Sequence, residues 1–389
     1  MNSIYFDNNA TTRLDPVVAE KMHQLHLMGI YNPASQHRLG RQALSFLEEA
    51  KQQILEAVGA PCSSMDSAQI ILNSGGTESN NLAIFGLYQQ RPGYVFVGGT
   101  DHPSVIEAGR HIAGSEDRFR VLPTDASGIC DLDSLQSWLA EIHGKGEVVS
   151  CVSVMLGNNE TGVLQDLKHI SRLCAEYDVP VHSDIVQALG KSPINMQELG
   201  LSALTLTGHK IHGPVGIGAL ILASDIKINP LIIGGGQQLG LRAGTEPVVP
   251  AVGLASAVCE IVGALDKGHY EELRLLRDRF ESRLIESCDA VVIAADAPRL
   301  PHTSNLSFPG IDRQALQMAL DLSGLACSTG SACSSGSGRP SGSLVAMGLP
   351  LETIEGSLRF SFSRFTTADE IDRGLRLIEK AIEKCRAAA

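Results

Sequence analysis

The chain has 389 residues, which exceeds one average domain and predicts two packed subdomains around a large buried core. Hydrophobic residues make up 43% of the sequence and charged residues 19%, which is typical of a soluble globular protein. The formal net charge of −12 argues against a sequence-independent grip on nucleic acid, because such binding needs clustered Lys and Arg side chains. We therefore expect no direct nucleic-acid partner.

The location of the protein is predicted from its apolar runs and its cysteines. No apolar run approaches the ~20 residues that cross a bilayer, and the first residues lack the basic and apolar regions of a secretion signal. The nine cysteines form an odd set without regular spacing or a CxxC pair, which favours reduced thiols over disulfides or a zinc site. These features predict a cytoplasmic protein that does not interact with membranes.

Short β-rich runs alternate with helical patterns between residues 69 and 223. The predicted strands are 69–74, 94–97, 119–122, 148–154, 180–183, 203–207 and 217–223, and the predicted helices are 77–90, 104–112, 132–143 and 166–177. Several of these strands are almost continuously apolar, which is typical of a sheet that is covered on both faces. The sequence therefore predicts an α/β domain with a mainly parallel sheet.

The pattern changes after about residue 255. A long helical stretch at 254–287 precedes strands near 290–294, 305–308 and 358–362, which alternate with helices at 313–322, 344–347 and from 368. We predict a large domain of residues 14–255 and a smaller α+β domain of residues 1–13 and 256–389. Residues 327–343 are almost all Ser, Gly or other small residues, a composition that favours a mobile loop.

The first motif is a glycine-rich turn between a strand and a helix, with the sequence Asn-Ser-Gly-Gly-Thr-Glu at residues 73–78. Glycines allow close backbone approach to an anion, and the N–H groups of a helix N-terminus favour phosphate. The same residues are also compatible with a simple strand-to-helix turn in which Thr77 is the N-cap. Both interpretations stay open on this motif alone.

The second motif places a lysine in a tight turn after an apolar strand, with the sequence Thr-Gly-His-Lys-Ile-His-Gly-Pro at residues 207–214. A partly buried lysine such as Lys210 can lose its proton and form a Schiff base with an aldehyde. The alternative is a surface turn with a solvated lysine. His209 and His212 lack the spacing of a known zinc motif, so no metal site is predicted.

The third motif is Asp184, which directly follows the predicted strand 180–183. Open α/β sheets place ligand-contacting groups at the carboxyl ends of their strands, and a carboxylate there can keep a pyridine nitrogen protonated. Asp184 is also compatible with a helix N-cap. About one helix and one strand separate Asp184 from Lys210, which favours both residues reaching one site.

In this order, the three motifs resemble the pyridoxal-phosphate (PLP) enzymes of fold-type I and aminotransferase class V. Within that class they resemble the cysteine desulfurases of the NifS/IscS type. Further similar segments lie at residues 5–12, 32–37, 101–105, 157–162, 242–245, 359–361 and 328–334. The last of these, Ser-Thr-Gly-Ser-Ala-Cys-Ser, resembles the loop that carries the nucleophilic cysteine, here Cys333. The implied fold is a large PLP-binding domain with a mainly parallel sheet covered by helices, plus a smaller α+β domain carrying the Cys333 loop.

The resemblance also implies roles for individual residues. Lys210 would hold PLP as a Schiff base and move the Cα proton, His102 would stack on the ring and shuttle protons, and Cys333 would attack the substrate sulfur as a thiolate. Arg359 would bind the substrate carboxylate, and Asn159 would also belong to the substrate site. Gln187 and Asn159 would touch the ring hydroxyl of PLP. The implied cofactor-binding residues are Gly76, Thr77, His102, Asn159, Asp184, Gln187, Thr207, Gly208, His209 and Lys210, together with Thr245 from the other subunit of a homodimer.

The implied activity is the conversion of L-cysteine to L-alanine, with the sulfur held as a persulfide on Cys333. The acceptor would be a protein such as an iron–sulfur scaffold or a tRNA-thiolation relay. The sequence leaves several alternatives open: a selenocysteine lyase, a non-catalytic sulfur-transfer or iron–sulfur scaffold, an accessory role for Cys327, and transient binding of an iron–sulfur cluster by the loop. The residues between Cys333 and Pro340 lack the Leu-Glu pair associated with housekeeping members, which leaves the partner undefined.

Overall fold

The structure is a computed structural model that describes residues 3–62, 66–330 and 340–388. Its strands are β1 Ile4–Tyr5, β2 Gln69–Asn73, β3 Tyr94–Gly98, β4 Phe119–Leu122, β5 Val149–Ser153, β6 Val181–Asp184, β7 Ala203–Thr207, β8 Gly218–Leu222, β9 Val291–Val292, β10 Thr303–Ser307, β11 Leu325–Ala326 and β12 Ser357–Ser361. Its α-helices are α1 Pro16–Met28, α2 Arg38–Ala57, α3 Gly76–Gln90, α4 Pro103–Ala113, α5 Leu132–Gly144, α6 Leu167–Ala175, α7 Met196–Leu199, α8 Val248–Asp266, α9 His269–Cys288, α10 Arg313–Leu322, α11 Gly342–Ala346, α12 Leu351–Glu355 and α13 Ala368–Ala388.

The large sheet has seven strands in the order β2-β8-β7-β6-β5-β3-β4. β8 runs antiparallel to both of its neighbours, β2 and β7. The remaining pairs are parallel. The predicted mainly parallel sheet is therefore confirmed.

Helices cover both faces of this sheet. Successive side chains of a strand point to opposite faces. In β3, Val95 and Val97 are buried in a cluster with apolar residues of α3 and α4, whereas Phe96 is buried in the main core on the other face. β5, β6, β7 and β8 are buried at every position, as expected for strands of a sheet that is covered on both faces.

The predicted helical stretch at 254–287 is in fact two helices, α8 and α9. The break falls at Gly268, whose φ of +79° is in the left-handed region that glycine adopts most easily. α8 packs against α1 and α2. By length and composition α8 could cross a membrane, but 67% of its most apolar window is buried inside the protein, as in a core helix. The predicted domain boundary after residue 255 lies within α8, and the division into two domains stays a prediction.

A smaller antiparallel sheet places β10 between β9 and β12. Aromatic side chains fill its core, with the rings of Phe6 and Phe362 4.9 Å apart and those of Phe280 and Phe360 5.2 Å apart. α13 buries one apolar face, which contains Ile371, Leu375, Ile378 and Ile382. This sheet and the segment at residues 7–12 lie against the carboxyl end of the large sheet.

Candidate active site

A cavity of about 260 Å³ lies at the carboxyl end of the parallel strands, facing β12. Its walls come from the start of α3, the segment before α4, the ends of β6 and β7, and the segment after β1. The lining residues are Asn9, Ala10, Gly76, Thr77, Asn80, His102, Ser104, Met155, Gly157, Asn159, Asp184, Val186, Gln187, Thr207, His209, Lys210 and Arg359.

The structure brings most of the predicted site residues together. Ten of them line this cavity: Gly76, Thr77, His102, Asn159, Asp184, Gln187, Thr207, His209, Lys210 and Arg359. Gly208 is buried in the turn that carries Lys210, and Thr245 is exposed and does not line this cavity. Cys333, the predicted nucleophile, lies outside the described residues.

Lys210 ends a short 3-10 turn, Gly208–Lys210, directly after β7. A Cβ atom at position 208 would lie 2.7 Å from the carbonyl oxygen of Pro214, so the tight turn requires glycine there. The Lys210 Nζ atom donates to the carbonyl oxygens of Asn9 at 2.5 Å and Ala10 at 2.7 Å. The amine is therefore directed to the segment after β1 and is only partly buried.

Asp184 is the last residue of β6 and is 7% exposed. Its Oδ2 atom accepts from Asn80 Nδ2 at 2.8 Å, and its Oδ1 atom accepts from the Val186 N–H at 2.9 Å. Turns follow rather than a helix, so the N-cap interpretation of Asp184 is wrong. These two bonds hold the carboxylate in the cavity wall.

His102 caps the N-terminus of α4. Its Nδ1 atom accepts from the Ser104 N–H at 3.1 Å and lies 2.8 Å from Ser104 Oγ. Burial, which outweighs the attraction of Asp184, lowers the pKa of His102, and the positive charge of Lys210 acts in the same direction. The ring is therefore neutral near pH 7, and because Nδ1 accepts, its proton is on Nε2.

The glycine-rich turn leads into the first turn of α3. Gly75, not Thr77, is the N-cap of α3, and it has no side chain that could bond the helix N–H groups. Thr207 lies across the turn from Gly75, and the His209 Nδ1 atom lies 3.2 Å from Thr11 Oγ1. Burial lowers the pKa of His209 to about 4, so its imidazole is neutral near pH 7. Hydroxyl, imidazole and helix N–H donors thus meet at one end of the cavity.

Arg359 lies in β12 and is 1% exposed. Its Nη2 atom bonds Asp7 Oδ1 at 2.6 Å, and its Nη1 atom donates to the Asn159 carbonyl oxygen at 3.0 Å. The Arg359 Nε atom is buried without a hydrogen-bond partner among the described residues. A guanidinium that lines a cavity and has an N–H group without a partner among the described residues can bind a carboxylate.

Seven lining residues received no role from the sequence: Asn9, Ala10, Asn80, Ser104, Met155, Gly157 and Val186. Asn80 had a usable signal, because it lies one helical turn after Thr77 and therefore on the same face of α3. Asn9 and Ala10 belong to the segment that resembles the family's start, but nothing local in the sequence indicates that they meet Lys210.

Cys327, the second thiol of the predicted loop, is a core residue. It is 7% exposed, and burial raises the pKa of its thiol to about 12. A thiol with so high a pKa is almost entirely protonated near pH 7 and is therefore a weak nucleophile.

Comparisons with known proteins agree with this architecture. The chain matches the family aminotransferase class-V over residues 4–373. A cysteine desulfurase of Nostoc sp. is 37% identical over 391 residues, which covers 100% of this chain and 94% of that protein. The X-ray structure of a NifS-like protein from Rickettsia africae is 32% identical with a TM-score of 0.89, and covers 98% of this chain and 100% of the other. The structure of SspA in complex with cysteine is 27% identical with a TM-score of 0.78, over 94% and 100% of the two chains.

The chain therefore belongs to aminotransferase class V, a family of PLP-dependent enzymes. Its full-length relatives place it, within that family, among the cysteine desulfurases.

Proposed function

We propose that this protein takes the sulfur of free L-cysteine, releases L-alanine and holds the sulfur as a persulfide on Cys333 for an acceptor protein. The observation that best supports this proposal is the convergence of Lys210, Asp184, His102 and Arg359 on one cavity. An amine, a carboxylate, an imidazole and a guanidinium are together sufficient to bind an amino acid and to move its protons.

The lining residues fit PLP. Gln187 Oε1 is buried and has no hydrogen-bond partner within the described ranges, so the ring hydroxyl could satisfy it. Asp184 would face the pyridine nitrogen, while the start of α3 with Thr77, Thr207 and His209 would hold the phosphate. When bound, PLP supplies an electron sink for the negative charge that develops on the substrate Cα atom.

Lys210 is suited to carry the cofactor and to take the Cα proton. A neutral amine that donates two N–H groups to the carbonyls of Asn9 and Ala10 keeps one lone pair that can accept a proton.

Arg359 is suited to bind the substrate carboxylate. Asp7 and Asn159 each engage one nitrogen of the guanidinium, and Nε, which has no hydrogen-bond partner among the described residues, could bond a carboxylate. Because the guanidinium is 1% exposed, its hydrogen bonds form in a region of low dielectric, where they are stronger than in water. The substrate would therefore bind with its carboxylate towards β12.

His102 is suited to move a proton near the substrate sulfur. The Ser104 N–H fixes its Nδ1 atom as an acceptor, so the neutral ring has its proton on Nε2. A neutral imidazole near pH 7 can both give and receive a proton during one catalytic cycle.

The transfer of sulfur requires a thiolate. Cys333 Sγ would attack the substrate sulfur, forming the S–S bond while the Cβ–S bond breaks and its electron pair stays with carbon. That carbon then takes up a proton and becomes the methyl group of alanine. This assignment relies on the resemblance at residues 328–334. The burial of Cys327, the other thiol of the segment 327–343, supports it.

We further propose a homodimer in which Thr245 of one protomer reaches the phosphate of its partner. Thr245 is exposed, and the same segment exposes Ile233 at 88% and Leu239 at 79%. Exposed apolar side chains near a predicted shared site favour an interface between two copies of the chain.

We place the protein in the cytoplasm, where thiols stay reduced, and we propose an iron–sulfur scaffold or a tRNA-thiolation relay as the acceptor. The eight cysteines within the described residues are free thiols, which supports a reducing compartment.

The direct test of the activity is the visible spectrum of the purified protein with and without L-cysteine, coupled to detection of alanine. We expect a spectral shift on addition of cysteine, alanine in amounts above that of the enzyme when a reductant is present, and the added sulfur on the peptide that contains Cys333. Selenocysteine serves as the second substrate, and a strong preference for it would identify a selenocysteine lyase. A colourless protein that binds iron and makes no alanine would contradict the proposal.

A further inference from the structure

Asn9 lies against Lys210 but received no role from the sequence. It is 1% exposed. Its backbone carbonyl oxygen accepts from Lys210 Nζ at 2.5 Å and from Gln187 Nε2 at 3.0 Å. The Ala10 carbonyl oxygen accepts the second bond from Lys210 Nζ. One short segment therefore binds the lysine amine with two neutral oxygen atoms.

The amide side chain of Asn9 is bonded at both ends to the smaller sheet and its surroundings. Nδ2 donates to Thr303 Oγ1 at 2.9 Å and to the Asn159 carbonyl oxygen at 3.1 Å. Oδ1 lies 2.8 Å from His302 Nε2. Burial holds the pKa of His302 well below its usual range, so the ring is neutral and its proton is on Nε2, facing the oxygen that can only accept.

The backbone of Asn9 is fixed as well, because its N–H donates to Ser361 Oγ at 2.9 Å. The side chain and the N–H of Asn9 are bonded to residues in or next to β10 and β12. Because both are held, the carbonyl oxygen points towards Lys210 and Gln187. The neighbouring residue Asn8 makes a useful contrast. It is also buried and its Nδ2 atom donates to the Ser361 carbonyl oxygen, but it does not line the cavity.

The charges around Lys210 make these carbonyls important. Burial and the charge of Lys210 lower the pKa of Lys191 to about 7, so a second amine is near enough to interact with the charge of the first. His102 and His209 also interact with the charge of Lys210, and Asp184 interacts with His102. An amine in this cluster of basic groups needs acceptors when it is not bonded to the cofactor.

We propose that Asn9 is a positioning residue whose fixed carbonyl, with that of Ala10, receives the amine of Lys210 whenever the amine is not bonded to the cofactor. This inference rests on the proposed function and deepens it. The carbonyl pair would stabilise the state in which an amino acid has replaced the lysine, and would keep the amine within reach of the substrate Cα atom. Weaker positioning should therefore make an amino acid a poorer competitor for the cofactor.

The test is a visible-spectrum titration of the PLP-loaded enzyme with L-alanine, which has the amino and carboxylate groups of the substrate but no thiol. Asn9→Ala should raise the half-saturating alanine concentration about tenfold, the usual effect of losing hydrogen bonds that fix a charged group. Asn8→Ala, the matched control, should lower the melting temperature to a similar extent and leave half-saturation unchanged.

Two results would overturn the inference: an Asn9→Ala variant that titrates like the wild type, or Asn8→Ala and Asn9→Ala variants that weaken alanine binding equally. Should Asn9→Ala not fold, Thr303→Val decides, because it removes only the hydroxyl that Asn9 Nδ2 bonds. For Thr303→Val we expect the half-saturating alanine concentration to rise two- to threefold, about the effect of one hydrogen bond. An unchanged half-saturating concentration would overturn the inference. A wild type that responds to neither alanine nor cysteine contradicts the proposed function itself, which is a separate result.

Discussion

The two sides of the cavity are built differently. On the side of the large sheet, Asp184 ends β6, Lys210 follows the adjacent strand β7, and α3 begins just after β2. These groups assigned to the cofactor therefore come from one layer of the fold. On the opposite side, Arg359 comes from β12 and is bonded to Asp7 and Asn159, which are far away in the chain.

This difference teaches which functions depend on which part of the molecule. Changes on the side of the large sheet, the cofactor side, should affect retention of PLP. Changes on the side of β12, the substrate side, and replacement of Cys333 should leave PLP bound and reduce turnover. The following predictions test this division, from the largest expected effect to the smallest.

Removing the amine that is predicted to hold the cofactor should have the largest effect. Lys210→Ala should abolish the borohydride-trapped attachment of PLP and lower kcat by at least about 10³-fold, because the covalent anchor and the proton acceptor are lost together. Mass spectrometry after reduction measures the attachment. Lys51→Ala, which removes a lysine paired with Glu246 away from the cavity, is the control and should keep both properties. PLP still trapped on the Lys210→Ala protein would show that another lysine is the anchor.

Replacing the predicted nucleophile should separate turnover from cofactor binding. Cys333→Ser should still show the spectral shift with L-cysteine, but should form neither persulfide nor catalytic amounts of alanine, because a serine hydroxyl stays protonated near neutral pH. Cys327→Ser should keep most of the activity, since the Cys327 thiol is buried. Mass spectrometry locates the added sulfur. Sulfur found only on Cys327, or full turnover by Cys333→Ser, would refute the assignment.

Changing the carboxylate-binding group should weaken substrate binding while PLP stays bound. Arg359→Lys replaces a planar fork with a point charge and should lower kcat/KM for cysteine about 30- to 100-fold, mainly through KM. Steady-state kinetics and the visible absorbance of bound PLP measure the two properties. Arg299→Lys is the matched control, because the Arg299 side chain is only 7% exposed and bonds both oxygens of Glu281 away from the cavity. An equal rise in KM for both variants would point to general loss of packing.

Removing the proposed contribution of the second protomer to the phosphate site should have a moderate effect on the retention of PLP. Thr245→Val removes one hydroxyl donor from the predicted phosphate site and should weaken PLP retention about fivefold, the value of one hydrogen bond, without a change in melting temperature. Dialysis followed by absorbance measures retention, and sedimentation measures the oligomeric state. A monomer that holds PLP and turns over at high dilution would exclude the shared site.

The smallest predicted effect concerns the stability of the sheet beneath the cofactor side. His182 in β6 is fully buried between Ser153 Oγ and Thr205 Oγ1, and burial lowers its pKa to about 3. The ordinary histidine pKa is about 6.5, so between these values the unfolded chain binds a proton that the folded chain does not. The free energy of unfolding should therefore fall as pH falls below about 6.5, with a contribution of at most about 1.4 kcal/mol per pH unit from His182.

Urea unfolding at pH 6.5 and pH 5.5 measures this dependence. His182→Gln should reduce the slope of stability against pH by about 1 kcal/mol per unit, because glutamine does not titrate. Ser150→Ala changes another buried polar residue without a titratable group and should leave the slope unchanged. An unchanged slope in His182→Gln would show that other groups account for the pH dependence.

Much of the fold could be predicted from local patterns. The strands and helices predicted between residues 69 and 223 end within one or two residues of their observed bounds, whereas the short helix α7 in this range was not predicted. Their signals are strong because apolar strands buried on both faces differ sharply in composition from the amphipathic helices between them. α1 and α2 were not predicted, and the break between α8 and α9 was missed because Gly268 is one glycine in a helical pattern.

The candidate site was predictable only where residue type and position within one motif carry the information. Gly76, Asp184 and Lys210 each lie at a strand end, where ligand groups of open α/β sheets collect, and the family resemblance adds Cys333 and Arg359. Asn9, Asn80 and the pairing of Asp7 with Arg359 were not predictable, because each contact joins segments that are distant in the chain.

The sequence by itself determined the α/β class, the three motifs and the chemistry of their side chains, because these depend on neighbouring residues. Only the tertiary structure decided that β8 is the antiparallel strand, that Cys327 is a buried thiol, and that the segment after β1 meets Lys210. Strand order, burial and long-range hydrogen bonds depend on which segments pack together, and that follows from the whole folded chain rather than from any local pattern.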